Sequence, residues 1–197
     1  MSTTLTPTTR RRSVLAVVAA LATAVSLAVA TPASAATGAQ TGEWDVVATS
    51  NAVSPKIQSY NHTSEVFDTV TPSGAWFAVG SGKVISEDED GTTPVKGGGI
   101  HFENTATTAK QATFRFTVPA NVGLVVKNGT RTVVSSAATS SARQVTWTTP
   151  SVPAGGEFHE HFTWTFSGSA SAANVGVAVS VPGSGGYSAS TTYRFTF

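Results

Sequence analysis

An antiparallel β-sandwich behind a cleaved export leader is what this sequence predicts, on three observations. The chain is rich in Val, Thr, Ser, Phe and Gly and poor in Leu, Glu and Lys, a balance that favours pleated, half-buried strands over helices. Apolar residues recur with period two through the second half, and no segment carries them at helical spacing. Turn chemistry falls where such strands would end, at Pro119, Pro150, Pro153, Pro182 and the glycines around Ser184, because proline cannot continue a ladder and glycine takes the backbone angles a turn demands.

The first 35 residues read as a signal peptide. Arg10, Arg11 and Arg12 form a positive start, residues 14–30 are an uninterrupted run of Val, Leu, Ala, Thr and Ser, and Ala33-Ser34-Ala35 is a small-residue cleavage signature, with Ala36 the first mature residue. The apolar run is short for a membrane span and is followed by a cleavage site, not a stop-transfer pattern, so no membrane attachment is expected after cleavage. Arg11 and Arg12 ahead of Ser13-Val14-Leu15 resemble the twin-arginine export motif, a route taken by folded chains, although an arginine cluster also serves ordinary secretion. Without the leader, nine basic residues face 11 acidic ones, a formal charge of −2. No basic tract remains, which argues against nucleic acid as a partner. The chain has no cysteine, so disulfides, thiolate metal sites and thiol catalysis are excluded and the fold must rest on its apolar core.

Residues 36–43 are expected to be a flexible leader, followed by one sandwich domain over 44–197. Strands are predicted at 44–49, 65–70, 75–79 and 83–86, with poor alternation. Beyond them, Phe114, Phe116 and Val118 share one strand face, and Val145 and Trp147 another. Val175, Val177, Val179 and Val181 line a third, and Tyr193, Phe195 and Phe197 a fourth. Asn128-Gly129 between two valine-rich runs predicts a hairpin with a type I′ turn.

Residues 98–181 resemble the bacterial surface Ig-like modules called DUF11-type. Phe102-Glu103-Asn104-Thr105 looks like their strand-plus-Asn start, Thr117-Val118-Pro119-Ala120 like their proline step, and Val145-Thr146-Trp147 with Val152-Pro153-Ala154-Gly155-Gly156 like their strand and turn. The resemblance implies an Ig-like sandwich that acts as a spacer, adhesive or structural part, with no catalytic residues. Unlike that pattern, the module is expected to stand alone and without a wall-anchoring tail.

The stretch Gly155-Gly156-Glu157-Phe158-His159-Glu160-His161-Phe162 holds the chief candidate for chemistry. In a strand, Phe158, Phe162, Trp164 and Phe166 face the core, while Glu157, His159 and His161 face out. Two histidines so placed bind a metal only if a neighbouring strand adds a ligand, with His62, His101, Glu103 or Glu157 as the nearest in type. The spacing is not the helical H-E-x-x-H. The pair is therefore read as a wetted strand face, with no metal expected. Glu160, an acid of core parity, is expected at the strand's mouth, satisfied by water or the Gly156 turn. The acidic run from Glu87 to Asp90 lacks the ligand pattern of an EF-hand; if it took calcium, Asp88 and Asp90 would be the ligands to test.

No nucleophile elbow, triad spacing or phosphate loop is present, so no catalytic residue and no cofactor are expected. A final strand of alternating aromatic residues resembles that of an outer-membrane barrel, but short strands and many prolines argue against one. Trp147 and Trp164 have core parity, whereas Trp44 and Trp76 lie in less regular segments and are candidates for an exposed sugar-stacking platform. The reading is a secreted, non-enzymatic structural or adaptor sandwich whose partner is another secreted or surface protein. A polysaccharide-binding module is the alternative, and a small secreted hydrolase or metal-binding protein the third reading.

Overall fold

A computed structural model describes residues 38–40, 42–51, 54–61, 66–70, 75–87 and 95–197. The leader residues Arg11, Arg12, Ala33, Ala35 and Ala36 lie outside these, as do His62, Asp88 and Asp90. The described chain is the all-β sandwich that the sequence predicts. Its strands are β1 (Gly38–Gln40), β2 (Gly42–Thr49), β3 (Lys56–Asn61), β4 (Val66–Val70), β5 (Ala75–Ala78), β6 (Val84–Ile85), β7 (Val95–Glu103) and β8 (Thr113–Val118). There follow β9 (Gly123–Asn128), β10 (Arg131–Ser136), β11 (Arg143–Thr148), β12 (Glu157–His161), β13 (Thr163–Ser167), β14 (Ala172–Ser180) and β15 (Thr191–Thr196).

They form a six-stranded sheet ordered β1-β5-β15-β14-β8-β11, a four-stranded sheet β10-β9-β13-β6 and a five-stranded sheet β12-β7-β2-β3-β4. The second half pairs antiparallel throughout. Where the first half enters the sheets, three pairs are parallel: β1 with β5, β5 with β15 and β2 with β7. Residues 38–40 and 42–43 are thus strand, which corrects the expectation of a flexible leader over 36–43. The short Gly38–Gln40 stretch finds an edge to add to, a pairing that local sequence does not encode.

Alternation explains the core. Phe114 and Phe116 of β8, Val175, Val177 and Val179 of β14 and Tyr193 and Phe195 of β15 are all buried, and their sequence neighbours Arg115 and Arg194 lie on the outer face. These side chains meet residues of the other two sheets: Phe116 packs on Trp164 of β13 at 5.8 Å between ring centroids, and Phe195 on Phe166 at 4.8 Å. Trp44 of β2 sits at the centre, 4.5 Å from Phe77, 5.3 Å from Trp164 and 5.8 Å from Phe195. The core therefore lies between the six-stranded sheet and the other two. Only Phe162 separates β12 from β13, so one run of chain passes from the five-stranded to the four-stranded sheet.

The β9–β10 hairpin forms, but with Gly129 and Thr130 as its loop, because Asn128 pairs with Arg131 across the ladder. Gly129 has φ +53° and neither Asn128 nor Thr130 is in the left-handed region. The turn is not type I′, which needs positive φ at both loop residues. Glycine alone supplies the left-handed position, and the Asn128 amide is left to donate to Glu160. Asn104, wholly buried, ties down the loop after β7: its Nδ2 donates to the carbonyls of Thr108, Val152 and Pro153 at 3.0, 2.9 and 2.8 Å, and its Oδ1 accepts from the Ala106 N–H at 3.1 Å.

Candidate functional site

Register brings the histidines to acids. Antiparallel pairing of β12 with β7 sets His159 opposite His101 and His161 opposite Gly99. Parallel pairing of β7 with β2 sets Gly99 opposite Asp45 and His101 opposite Val47. Paired residues share a face, so His161, Gly99 and Asp45 form one row across three strands and His159, His101 and Val47 the next. The other face carries Phe158, Phe102 and Ala48, then Glu160, Ile100 and Val46, and this is the core face.

Gly99 makes the row work. A Cβ there would overlap Asp45 Oδ1 and lie 2.8 Å from His161 Cδ2. With no side chain between them, a carboxylate and an imidazole two strands apart meet above the backbone. His159 Nε2 lies 3.2 Å from Asp45 Oδ2, and His161 Nε2 lies 3.6 Å from Asp45 Oδ1 and 3.2 Å from Glu43 Oε1. His101 stacks on His159 at 5.1 Å between centroids and turns its Nε2 to Glu157 Oε2 at 3.2 Å.

The acids are on the inside of this group. Asp45 is fully buried and Glu43 is 5 % exposed; the His159 side chain is 30 % exposed and that of His161 17 %. Burial pushes the Asp45 carboxyl up, but the His159 and His161 imidazoles outweigh it and hold the group below its ordinary value. His159 is raised, chiefly by its contact with Asp45 and against its own partial burial. The histidines are thus the lid over two buried carboxylates and not merely a wetted strand face. Asp45, His159 and His161 offer ligand atoms within 4.8 Å of one another.

The third donor that the sequence demanded is therefore Asp45, which was not among the residues proposed for it. His101 and Glu157 are nearby but engaged with each other, and Glu103 lies opposite Glu157 at the next row. Asp45 escaped notice because an acid inside a strand is ordinarily assigned to solvent. One signal was available: Glu43 and Asp45 have the parity opposite to Trp44, Val46 and Ala48, and the glycines at 97–99 leave room above a strand.

The tryptophan expectation needs one correction. Trp44 is 1 % exposed and stacked in the core, so it presents no ring to a ligand; its parity with Val46 and Ala48 decides this. Trp76 is half-buried, with the Arg194 guanidinium 5.5 Å from its ring centre. Glu160 does lie at the strand's rim, held by Asn128 and not by the Gly156 turn. There it borders a cleft of ≈ 350 Å³, lined also by Trp147, Phe158, Phe162 and Arg131. The acidic run is described only as far as Glu87, whose Oε2 accepts from the Gly129 N–H at 3.0 Å. No helix long and apolar enough to cross a membrane occurs among the described residues.

The chain matches no family model, no curated protein and no solved structure.

Proposed function

We propose that this is an exported, non-catalytic sandwich that captures an extended segment of another secreted or surface protein along its open strand edges. The observation that carries the reading is the cleft of ≈ 350 Å³, which lies where β10, β11 and β12 each end the order of their sheet. An edge strand has backbone N–H and C=O groups with no ladder partner, a template for one more strand. Recognition by strand addition takes its affinity from such main-chain bonds and its specificity from pockets that accept alternate side chains. Here the pocket is apolar at Trp147, Phe158 and Phe162, with Arg131 and Glu160 of opposite charge among its lining residues. Export rests on the leader read from residues 1–35.

The test is capture from culture medium by the immobilised protein, compared with Arg131→Glu/Glu160→Lys and with Trp147→Ala, each checked for folding by circular dichroism. Loss of one recurrent bound protein in the variants supports strand-edge capture; undiminished capture in all of them refutes it. The half-buried Trp147 beside the polar Asn128, Arg131 and Glu160 also favours a second reading, a saccharide in the same cleft. Retention on wall polysaccharide that disappears in Trp147→Ala, with no protein captured, would select that reading.

A further inference from the structure

We infer that Asp45, His159 and His161 bind one divalent transition-metal ion, zinc being the ion that the donor set suits best. Two imidazole nitrogens from β12 and a carboxylate from β2 are the ligand types that zinc takes, whereas calcium takes six to eight oxygens. The spacing is close to what an ion needs. Donors about 2.05 Å from a common tetrahedral centre lie roughly 3.3 Å apart; Asp45 Oδ2 stands 3.2 Å from His159 Nε2, Asp45 Oδ1 stands 3.6 Å from His161 Nε2, and the ligand atoms of the three residues all lie within 4.8 Å of one another.

A second observation points the same way. Asp45 is fully buried, yet neither of its carboxylate oxygens accepts a hydrogen bond of normal geometry. Buried carboxylates in folded proteins are ordinarily satisfied by such bonds or by a cation. The imidazole nitrogens stand 3.2 and 3.6 Å from the two Asp45 oxygens, an arrangement that also suits a cation placed among all three groups. Asp45 sits on β2, two strands in from the β12 edge and paired directly with β7, and Gly99 keeps the space above it clear. Entry is from the His159 side, where the edge strand meets solvent. Glu43, 3.2 Å from His161 Nε2, is the nearest further carboxylate, and it or water completes the coordination. An ion held by three protein ligands and a water is a Lewis acid with an exchangeable position.

The competing account is an ion-pair network, with His159 protonated over Asp45 and no metal. The full chain, stripped with a chelator and dialysed, is titrated with Zn²⁺ and followed by calorimetry and elemental analysis; Co²⁺ then replaces zinc for visible absorption. We expect one equivalent of zinc per chain and a Co²⁺ spectrum of a low-symmetry, nitrogen-containing site. Affinity in His159→Ala/His161→Ala should fall by more than the roughly 10–100-fold that loss of a supporting partner costs, while His101→Ala should bind nearly as the parent does. Asp45→Asn should also lose binding, but His159→Ala carries the test if that buried change prevents folding. A folded parent chain that takes up no zinc, a Co²⁺ spectrum like that of the hydrated ion, or equal binding in the double histidine variant would each overturn the assignment.

Discussion

The Asp45 carboxylate is buried on a sheet face that carries three histidines, and a charge so placed is tolerable only beside a positive group. In the metal-free protein that group is His159, and the linkage can be given a sign. His159 binds its proton more tightly folded than unfolded, so its contribution is complete below its ordinary value of 6.5 and is lost as pH rises through the higher folded value. Asp45 is held down, so its contribution is present above 3.8 and is lost as pH falls through the lower folded value. Glu43, His161, His101 and Glu157 face the same space. With chelator present, the melting temperature should be highest between about pH 4 and 6.5 and decline above that window; His159→Gln should flatten the alkaline side of the profile. An alkaline decline of equal size in the variant would assign the effect to other groups. Single residues were the hardest scale to read from sequence. His159 and His161 announce themselves by type and spacing, whereas Asp45 does so only once β2 is known to pair parallel with β7, and Trp44 looks exposed until its parity with Val46 is given weight.

At the scale of elements, β7 does two jobs with adjacent glycines. On one side, the Gly98 carbonyl accepts from Trp164 Nε1 at 2.9 Å, and a Cβ on Gly98 would lie 2.9 Å from that indole. On the other, Gly99 clears the path between Asp45 and His161. Gly99→Ala should displace the carboxylate and cost about 1–3 kcal/mol, as overfilling a packed site does, or roughly 2–12 °C in melting temperature for a domain of this size. It should also weaken zinc binding. A variant with parental melting temperature and zinc affinity would show that the row is looser than its geometry indicates. The strands β8, β14 and β15 were legible because one face is core and the other is not, so period two appears directly in the residues. β1 and β3 were missed. β1 is three residues long, and β3 (Lys-Ile-Gln-Ser-Tyr-Asn) has too few apolar residues to display a period. The hairpin was found one residue out of place, because Asn-Gly marks a turn without specifying which of the two residues enters it.

For the molecule as a whole, the aromatic contacts make the first and second halves interdependent. β5 pairs with β15, β2 pairs with β7, and Trp44 and Phe77 from the first half pack on Trp164 and Phe195 from the second. Unfolding of the described sandwich should accordingly be a single cooperative transition, with probes in either half coinciding. Phe195→Ala, which removes a fully buried ring touching Trp44, Phe77, Trp164 and Phe166, should destabilise by about 3–5 kcal/mol without splitting that transition. Two separate melts in the parent would mean that the halves are independent. Length, composition and turn spacing were enough to indicate a sandwich without disulfides. They could not indicate that three of its ladders run parallel, because the direction of pairing depends on long-range closure and leaves no local mark.

Back to back across one thickness of β7 backbone, an indole and an acid–imidazole cluster share the same pair of glycines. A guest drawing the histidines inward would shift the carbonyl on which Trp164 hangs, and the change in that ring's surroundings would register as emission. Trp164 emission would then gauge occupancy through the wall of the sandwich, without any added label.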